Sequence, residues 1–270
     1  MLSFQFSEQI LLNFLLRFVV VTGTNRGIGL EICKLMALKG TTVVLIARDV
    51  KRVLEAIDKL KDLGLSDNVN NAGIGGVKGY FEALRDAGFG KPGAQPNQGS
   101  LLTQSLELFE QRLQTNYYGV KRMSKSFIHL LPLSDSLGII NVSSSMENDA
   151  KNLTEDKVDE ILSKSMKDFK EGSLQEKGWP IFMSAYILSK ATMNAYTRIL
   201  ANKNPNFIIN CVFPGFLKTD INFNSWILSV EEGAESLVRL SLLPNNGPSS
   251  LFFVRKEERI SIKYCLIQKS

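Results

Sequence analysis

Residues 18–29 read FVVVTGTNRGIG, and the reading of this stretch decides the fold. Phe18 to Thr22 is apolar and rich in β-branched residues, the composition of a strand buried on both faces. Three glycines follow at once, Gly23, Gly27 and Gly29. From Ile28 to Leu38 the residues read as a helix. A glycine-rich turn between a buried strand and the start of a helix is where a chain can hold a phosphate. Gly23 allows the tight turn, Gly27 lets the backbone approach the phosphate, and Gly29 lets the helix pack close to the strand. The helix N-terminus then faces a dinucleotide's pyrophosphate. The spacing is GxxxGxG rather than GxGxxG.

Outward from that turn, a second strand is expected over Thr42–Ala47. A helix is expected over Val50–Leu63, with Val53, Leu54, Ile57 and Leu60 on one face. Strand, helix, strand, helix indicates parallel βαβ units. The second strand ends Ala47-Arg48-Asp49. Sites for the unphosphorylated nicotinamide cofactor hold an acidic residue there, on the ribose hydroxyls. Arg48 instead suits a 2′-phosphate, and Arg26 can join it, which points to NADPH. The other reading is that both arginines are simply solvated, and Asp49 stands beside Arg48.

Further along, GFGKPGAQPNQGS over Gly88–Ser100 is a loop by composition. A long helix is expected from Leu106 to Leu131, and strands over Leu137–Val142 and Phe207–Phe213. Between those strands lies a polar, helical insertion, Glu147–Gly178. Thr154 can cap its helix, with Val158, Ile161, Leu162 and Phe169 on one face. Leu251–Val254 reads as a last strand. The organisation is one domain over residues 18–255, with residues 147–182 as the insertion, an atypical extension over residues 1–17 and an atypical tail over residues 256–270.

Composition narrows the function. A chain of 270 residues with 44% hydrophobic and 22% charged residues buries a full core and is not a disordered protein. Cys33, Cys211 and Cys265 lie far apart without metal spacing and read as reduced thiols. A lone histidine, His129, argues against a His-based metal site or a Ser-His-Asp triad. The net charge of +5 is dispersed, so nucleic acid is not an expected partner. The apolar run Ile10–Val21 is too short for a membrane span, and neither a membrane nor a signal peptide is expected.

Tyr186 and Lys190 stand at i and i+4, on one helix face. A nearby ammonium favours a phenolate, and such a tyrosine can give a proton to a carbonyl oxygen as hydride arrives at carbon. Ser144 follows the LGIINV strand, where its hydroxyl can hold a substrate oxygen, although Ser143 and Ser145 flank it. Asn116 falls within the long helix, where asparagine is mildly unfavourable. It can bend that helix and hold a water beside Lys190. Asn70-Asn71-Ala72-Gly73 is typical of a tight turn. The PGFLKTD loop over 214–220 follows a strand at the carboxyl end of the sheet, where cofactors bind.

TGxxxGIG, NNAG, Asn116, the serine strand, YxxxK and PGxxxTD come in the order of the short-chain dehydrogenase/reductase family, which the chain resembles over roughly Val19–Val254. The ARD triplet, the insertion and the Ser250–Val254 segment are similar to its NADPH-dependent carbonyl-reductase branch, which includes plant menthone, neomenthol and salutaridine reductases. The resemblance implies an α/β fold, a single Rossmann-type domain with a doubly wound parallel sheet. It implies NADPH-dependent reduction of a ketone or aldehyde, with Tyr186 as general acid. Lys190 then binds the nicotinamide ribose and lowers the tyrosine pKa, Ser144 contacts the substrate oxygen, and Asn116 supports the proton relay. Gly23, Asn25, Arg26, Gly27, Ile28, Gly29 and Arg48 bind the nucleotide, and Asn71, Ala72 and Gly73 lie along it. Pro214, Gly215, Leu217 and Thr219 hold the nicotinamide end. A monomer is implied, acting on a small carbonyl or alcohol compound, and the three cysteines read as reduced thiols point to a reducing compartment and a cytoplasmic protein. Phe216, Phe223 and Trp226 suggest an apolar one, or are core packing.

One departure stands out. The family expects a third strand, a helix and a fourth strand before NNAG, and only Gly64–Val69 lies there. A parallel crossover alone takes about a dozen residues or more, so about forty residues are missing. The sheet is therefore expected to lack its third strand and all or most of its fourth. Loss of a central strand would leave two buried edges unpaired. The alternative reading follows: a truncated, inactive family member. The tail from Glu257, with Ile260, Ile262, Tyr264, Leu266 and Ile267, has no evident place in the fold.

Overall fold

A computed structural model describes residues 18–47, 67–73, 78–79, 102–129, 138–144, 153–219, 228–244 and 246–258. In chain order the elements are β1 (Phe18–Thr22), α1 (Gly27–Ala37), β2 (Thr42–Ile46) and β3 (Asp67–Asn70). Two short strands follow, β4 (Lys78–Gly79) and β5 (Leu102–Thr103), paired antiparallel apart from the main sheet. Then come α2 (Leu106–Leu113), α3 (Gly119–Phe127), β6 (Gly138–Val142), α4 (Glu155–Lys170) and α5 (Ser184–Lys203). The chain continues through β7 (Ile208–Phe213), α6 (Val230–Ser241), β8 (Phe252–Val254) and β9 (Glu257–Glu258).

The main sheet runs β2-β1-β3-β6-β7-β8-β9, parallel except for the last pair. Alternation along the strands sorts its apolar side chains to two faces. Ile140, Val142 and Val212 join Val19, Val21 and Ile32 in one core, beneath α1 and α6. Ile139 and Ile209 face the other way, into a core with Phe109, Leu113, Leu188 and Tyr196 from α2 and α5. Helices on both faces of a mostly parallel sheet make the Rossmann-type, doubly wound arrangement expected.

The short connection before NNAG has a structural answer. β3 fills the central gap, pairing Val19 with Asp67 and Val21 with Val69 on one side. On the other side it pairs Val69 with Ile140 and Asn70 with Asn141. The two buried edges foreseen for a lost fourth strand are thus joined by a four-residue remnant. Beyond β2 no further strand stands among the described residues.

Two expectations are corrected in detail, and a third holds. The long helix is not continuous: a π-helical turn, Gln114–Tyr118, separates α2 from α3, and α3 ends at Phe127. The strand over Leu251–Val254 is prolonged by a hairpin, β9 pairing Val254 with Glu257 and Phe253 with Glu258, so the start of the tail belongs to the sheet. The insertion's helix begins where its cap was read, the Thr154 hydroxyl accepting from Lys157 N–H at 3.3 Å, a contact worth about 1 kcal/mol. The extension over residues 1–17, the helix Val50–Leu63, the loop Gly88–Ser100 and the tail past Glu258 lie outside the described residues.

Candidate active site

The glycine turn is built by bonds that cross from β1 to the segment after β3. The Thr22 hydroxyl accepts from the backbone N–H of Asn71 at 3.0 Å and of Ala72 at 2.9 Å. The Asn71 amide nitrogen donates to the carbonyl oxygens of Thr22 at 3.1 Å and Gly23 at 3.3 Å. Asn71 thus clamps the turn, and Gly29 must be glycine for the clamp to close. A Cβ there would overlap the Gly23 carbonyl and lie 2.5 Å from the Asn71 amide nitrogen.

The turn fits a dinucleotide's pyrophosphate. Gly27 has φ +56°, and among the described residues a Cβ there would meet only Thr219, at 3.9 Å. That places the PGFLKT loop opposite the glycine turn. Arg26, exposed at the N-cap of α1, provides no side-chain cap, and the first turn of α1 holds no acidic residue. The leading N–H groups and the positive end of the helix are left for an anion. Thr24 Oγ1 is buried there with no hydrogen-bond partner among the described residues. Sequence reasoning passed over Thr24, although its place between Gly23 and Asn25 was a signal. Arg48 and Asp49, on which discrimination of the 2′-phosphate rests, lie outside the described residues, as do Phe223 and Trp226.

Across the sheet, Pro214 and Gly215 follow β7, and Gly215 has φ +101°. Leu217 is buried against Gly233 in the first turn of α6. Lys218 N–H donates to Leu228 O at 2.8 Å, closing this loop on itself.

Asn71, Ala72 and Gly73 lead from the turn toward the remaining candidates. A Cβ on Gly73 would lie 3.5 Å from Asn116 Oδ1 and 3.9 Å from Lys190 Nζ. Asn116 sits in the π turn, the bend foreseen for it, and donates from its amide nitrogen to Ser189 Oγ at 3.2 Å. Lys190 is buried and donates from Nζ to Val142 O at 2.8 Å. Ser144 is the serine that bonds to the Tyr186 side chain. Ser143 turns to the Lys190 carbonyl oxygen instead, at 3.5 Å. Met183, with φ 47°, turns the chain into α5, and its carbonyl accepts from Tyr186 N–H at 2.8 Å.

The electrostatics differ from the expected pattern. Burial pushes the Tyr186 pKa up, and the Ser144 hydrogen bond and the positive Arg112 pull it back. Burial and then Arg112 pull Lys190 down to about 7. Among the described residues the cation that draws the Tyr186 pKa down is Arg112. Arg112 was missed in the sequence. Its signal was a cation at i+3 from Phe109 and i−4 from Asn116, on the buried stripe of α2.

A phosphate turn running by way of Asn71–Gly73 to a Ser, Tyr and Lys set defines a Rossmann-type oxidoreductase. Comparison with known proteins agrees. Residues 17–71 match the short chain dehydrogenase family. (+)-Neomenthol dehydrogenase of Arabidopsis thaliana is 46% identical, over 89% of this chain and 97% of that protein. Carbonyl reductase (NADPH) 1 of Macaca fascicularis is 31% identical, over 89% and 97%. The solved structure of salutaridine reductase from Papaver somniferum is 38% identical over 88% of this chain and 99% of its own, with a TM-score of 0.78. The chain belongs to the short-chain dehydrogenase/reductase family. The Arabidopsis alignment runs over 289 positions against 270 residues here, so that relative carries residues without a counterpart in this chain. No helix among the described residues is long and apolar enough to cross a membrane.

Proposed function

We propose that the chain reduces a ketone or aldehyde to an alcohol with NADPH. When bound, the reduced nicotinamide supplies a hydride to the carbonyl carbon. Tyr186 gives its phenolic proton to the carbonyl oxygen, and Ser144 holds that oxygen beside it. Lys190 and Asn116 flank Gly73, where Lys190 binds the nicotinamide ribose and Asn116 supports return of the proton to Tyr186. The glycine turn, Arg26 and Arg48 hold the phosphates. The observation that carries this reading is the strip from Gly27 through Asn71–Gly73 to Lys190, which joins a dinucleotide's phosphate end to the tyrosine. The substrate is an apolar carbonyl compound, in keeping with the carbonyl reductase among the relatives. α4 packs against α2 and α5, and this cover supports a monomer.

The test is NADPH oxidation by the purified chain with a panel of apolar ketones and aldehydes. Tyr186→Phe is expected to abolish turnover while NADPH still raises the melting temperature. Turnover that survives the substitution refutes the mechanism. A chain that melts cooperatively but ignores NADPH favours the inactive, truncated reading.

A further inference from the structure

Arg112 is the least accommodated charge in the described structure. It is fully buried, and Nε, Nη1 and Nη2 all lack a hydrogen-bond partner among the described residues. A guanidinium keeps its proton in a protein, and taking it out of water without a partner is costly. Burial does draw its pKa down, to about 10, which still leaves it charged at neutral pH. Its central carbon lies 5.0 Å from the centroid of the Tyr186 ring. At that distance a cation draws on the ring's negative face and, more strongly, on a negative phenolic oxygen.

Among the described residues, Tyr186 is left as the group that can carry the counter-charge. On α5 itself the nearest ionisable group is Lys190, a base whose pKa is drawn down to about 7 and which is bonded to a neutral carbonyl, so it supplies no negative charge. From the loop after β6, Ser144 supplies a neutral hydroxyl. From α4, Glu155 and Asp159 act on Tyr196 and Tyr117 rather than on Tyr186. β7 brings Cys211, whose thiol is buried against Leu251 O. No described carboxylate acts on Arg112. Because its nitrogen atoms are closed to solvent, a substrate's carboxylate does not reach them in this arrangement.

We propose that Arg112 is the cation that stabilises the Tyr186 phenolate, a positioning residue that acts on the reaction through the tyrosine. This rests on the reading of Tyr186 as the proton donor. When Tyr186 gives up its proton, its O–H bond breaks, the alcohol O–H forms, and the electron pair stays on the phenolic oxygen. Arg112 offsets the negative charge left there. The phenolate is neutralised when a proton returns from solvent. The guanidinium is unpaired while the tyrosine is neutral and paired when it is ionised, so it favours the acid step.

The experiment follows the chain's six tyrosines, labelled with carbon-13 at Cζ, by NMR titration of the folded protein. The Tyr186 signal is assigned by its loss in Tyr186→Phe. In Arg112→Met its midpoint is expected to rise by about one pH unit or more, and in Arg112→Lys to stay near the wild-type value. Arg112→Gln takes the place of the methionine variant if that fails to melt cooperatively. An unchanged midpoint in the neutral variant overturns the proposal. So does a Tyr186 that keeps its proton up to alkaline unfolding in both the wild type and the neutral variant. Failure of both neutral variants to fold would make Arg112 a structural residue and overturn it equally. The titration needs no turnover, so it fails separately from the Tyr186→Phe activity test.

Discussion

Gly29→Ala probes the join between the glycine turn and the segment after β3. The new methyl group would overlap the Gly23 carbonyl oxygen and stand 2.5 Å from the Asn71 amide nitrogen. The Gly23 backbone cannot easily retreat, because its N–H donates to Ile46 O at 2.7 Å. The Asn71 side chain must therefore swing away and lose its bonds to Thr22 O and Gly23 O, at about 1 kcal/mol each. Residual overpacking adds about 1–3 kcal/mol. Alanine's better helix propensity returns about 1 kcal/mol. The net loss is about 2–4 kcal/mol, on the order of 5–10 °C in melting temperature for a chain of this size. Thermal melts followed by circular dichroism, with and without saturating NADPH, give the readout. The variant is expected to melt lower and to show a smaller NADPH-induced rise. Gly138→Ala is the control, since its methyl would meet Ile208 O at an ordinary 3.8 Å. A Gly29→Ala protein that matches the wild type in both melts would refute the clamp.

Two further outcomes are expected. Glu155 meets Lys125 and Lys203 at 2.8 Å each and Lys121 at 3.5 Å. Burial would raise its pKa, but hydrogen bonds to Lys125 and Lys203 and their charges hold it at about 2. A lowered carboxylate pKa stabilises the fold above the ordinary value near 4.5, and that contribution is lost as pH falls toward about 2. Because Lys125 and Lys203 are exposed, the discounted effect of Glu155→Gln is about 1–2 kcal/mol at pH 7. Urea melts should show the penalty shrinking between about pH 4.5 and 2, and a pH-independent penalty would sink the assignment. Burial pushes the Cys33 thiol up to about 12, against a smaller pull from a backbone hydrogen bond, and Cys211 is buried too. Alkylation of the native chain at pH 8, mapped by mass spectrometry, should spare both until denaturant is added. Prompt labelling of either would contradict the packing of its core.

The legible parts of the fold were those written in local pattern. FVVVT, GIINV and IINCVF announce strands because a parallel sheet buries both faces of each, and the glycines between β1 and α1 name their turn. Thr154 shows its cap in the residue itself. Asn116 announced a bend, and a π turn is what the backbone does there. β3 was harder. DNVN carries one apolar residue, Val69, so nothing in its periodicity says strand, and only the need to join β1 to β6 gives it that role. Arg112 left only its place on the apolar stripe as a signal, for a different reason. A charge on a helix reads as solvated until the neighbouring helix is placed, and only the packing of α5 on α2 shows the guanidinium over Tyr186. Ser143 and Ser144 likewise look alike in the chain and are separated by which way each hydroxyl points.

The four-residue β3 turns the sheet into two plates with a seam. Its hydrogen bonds and the α1–α6 layer hold β1 and β2 to the rest. Among the described side chains, the core on the opposite face takes none from β1, β2 or β3. Sub-global opening is therefore expected to part along β3, with amide exchange in β1 and β2 running ahead of that in β6 and β7. The glycine turn rides on one plate, and Tyr186 and Lys190 on the other. A dinucleotide lying from Gly27 to Lys190 would cross the seam as a staple, so that a bound cofactor would brace two plates that the chain itself joins by one short strand.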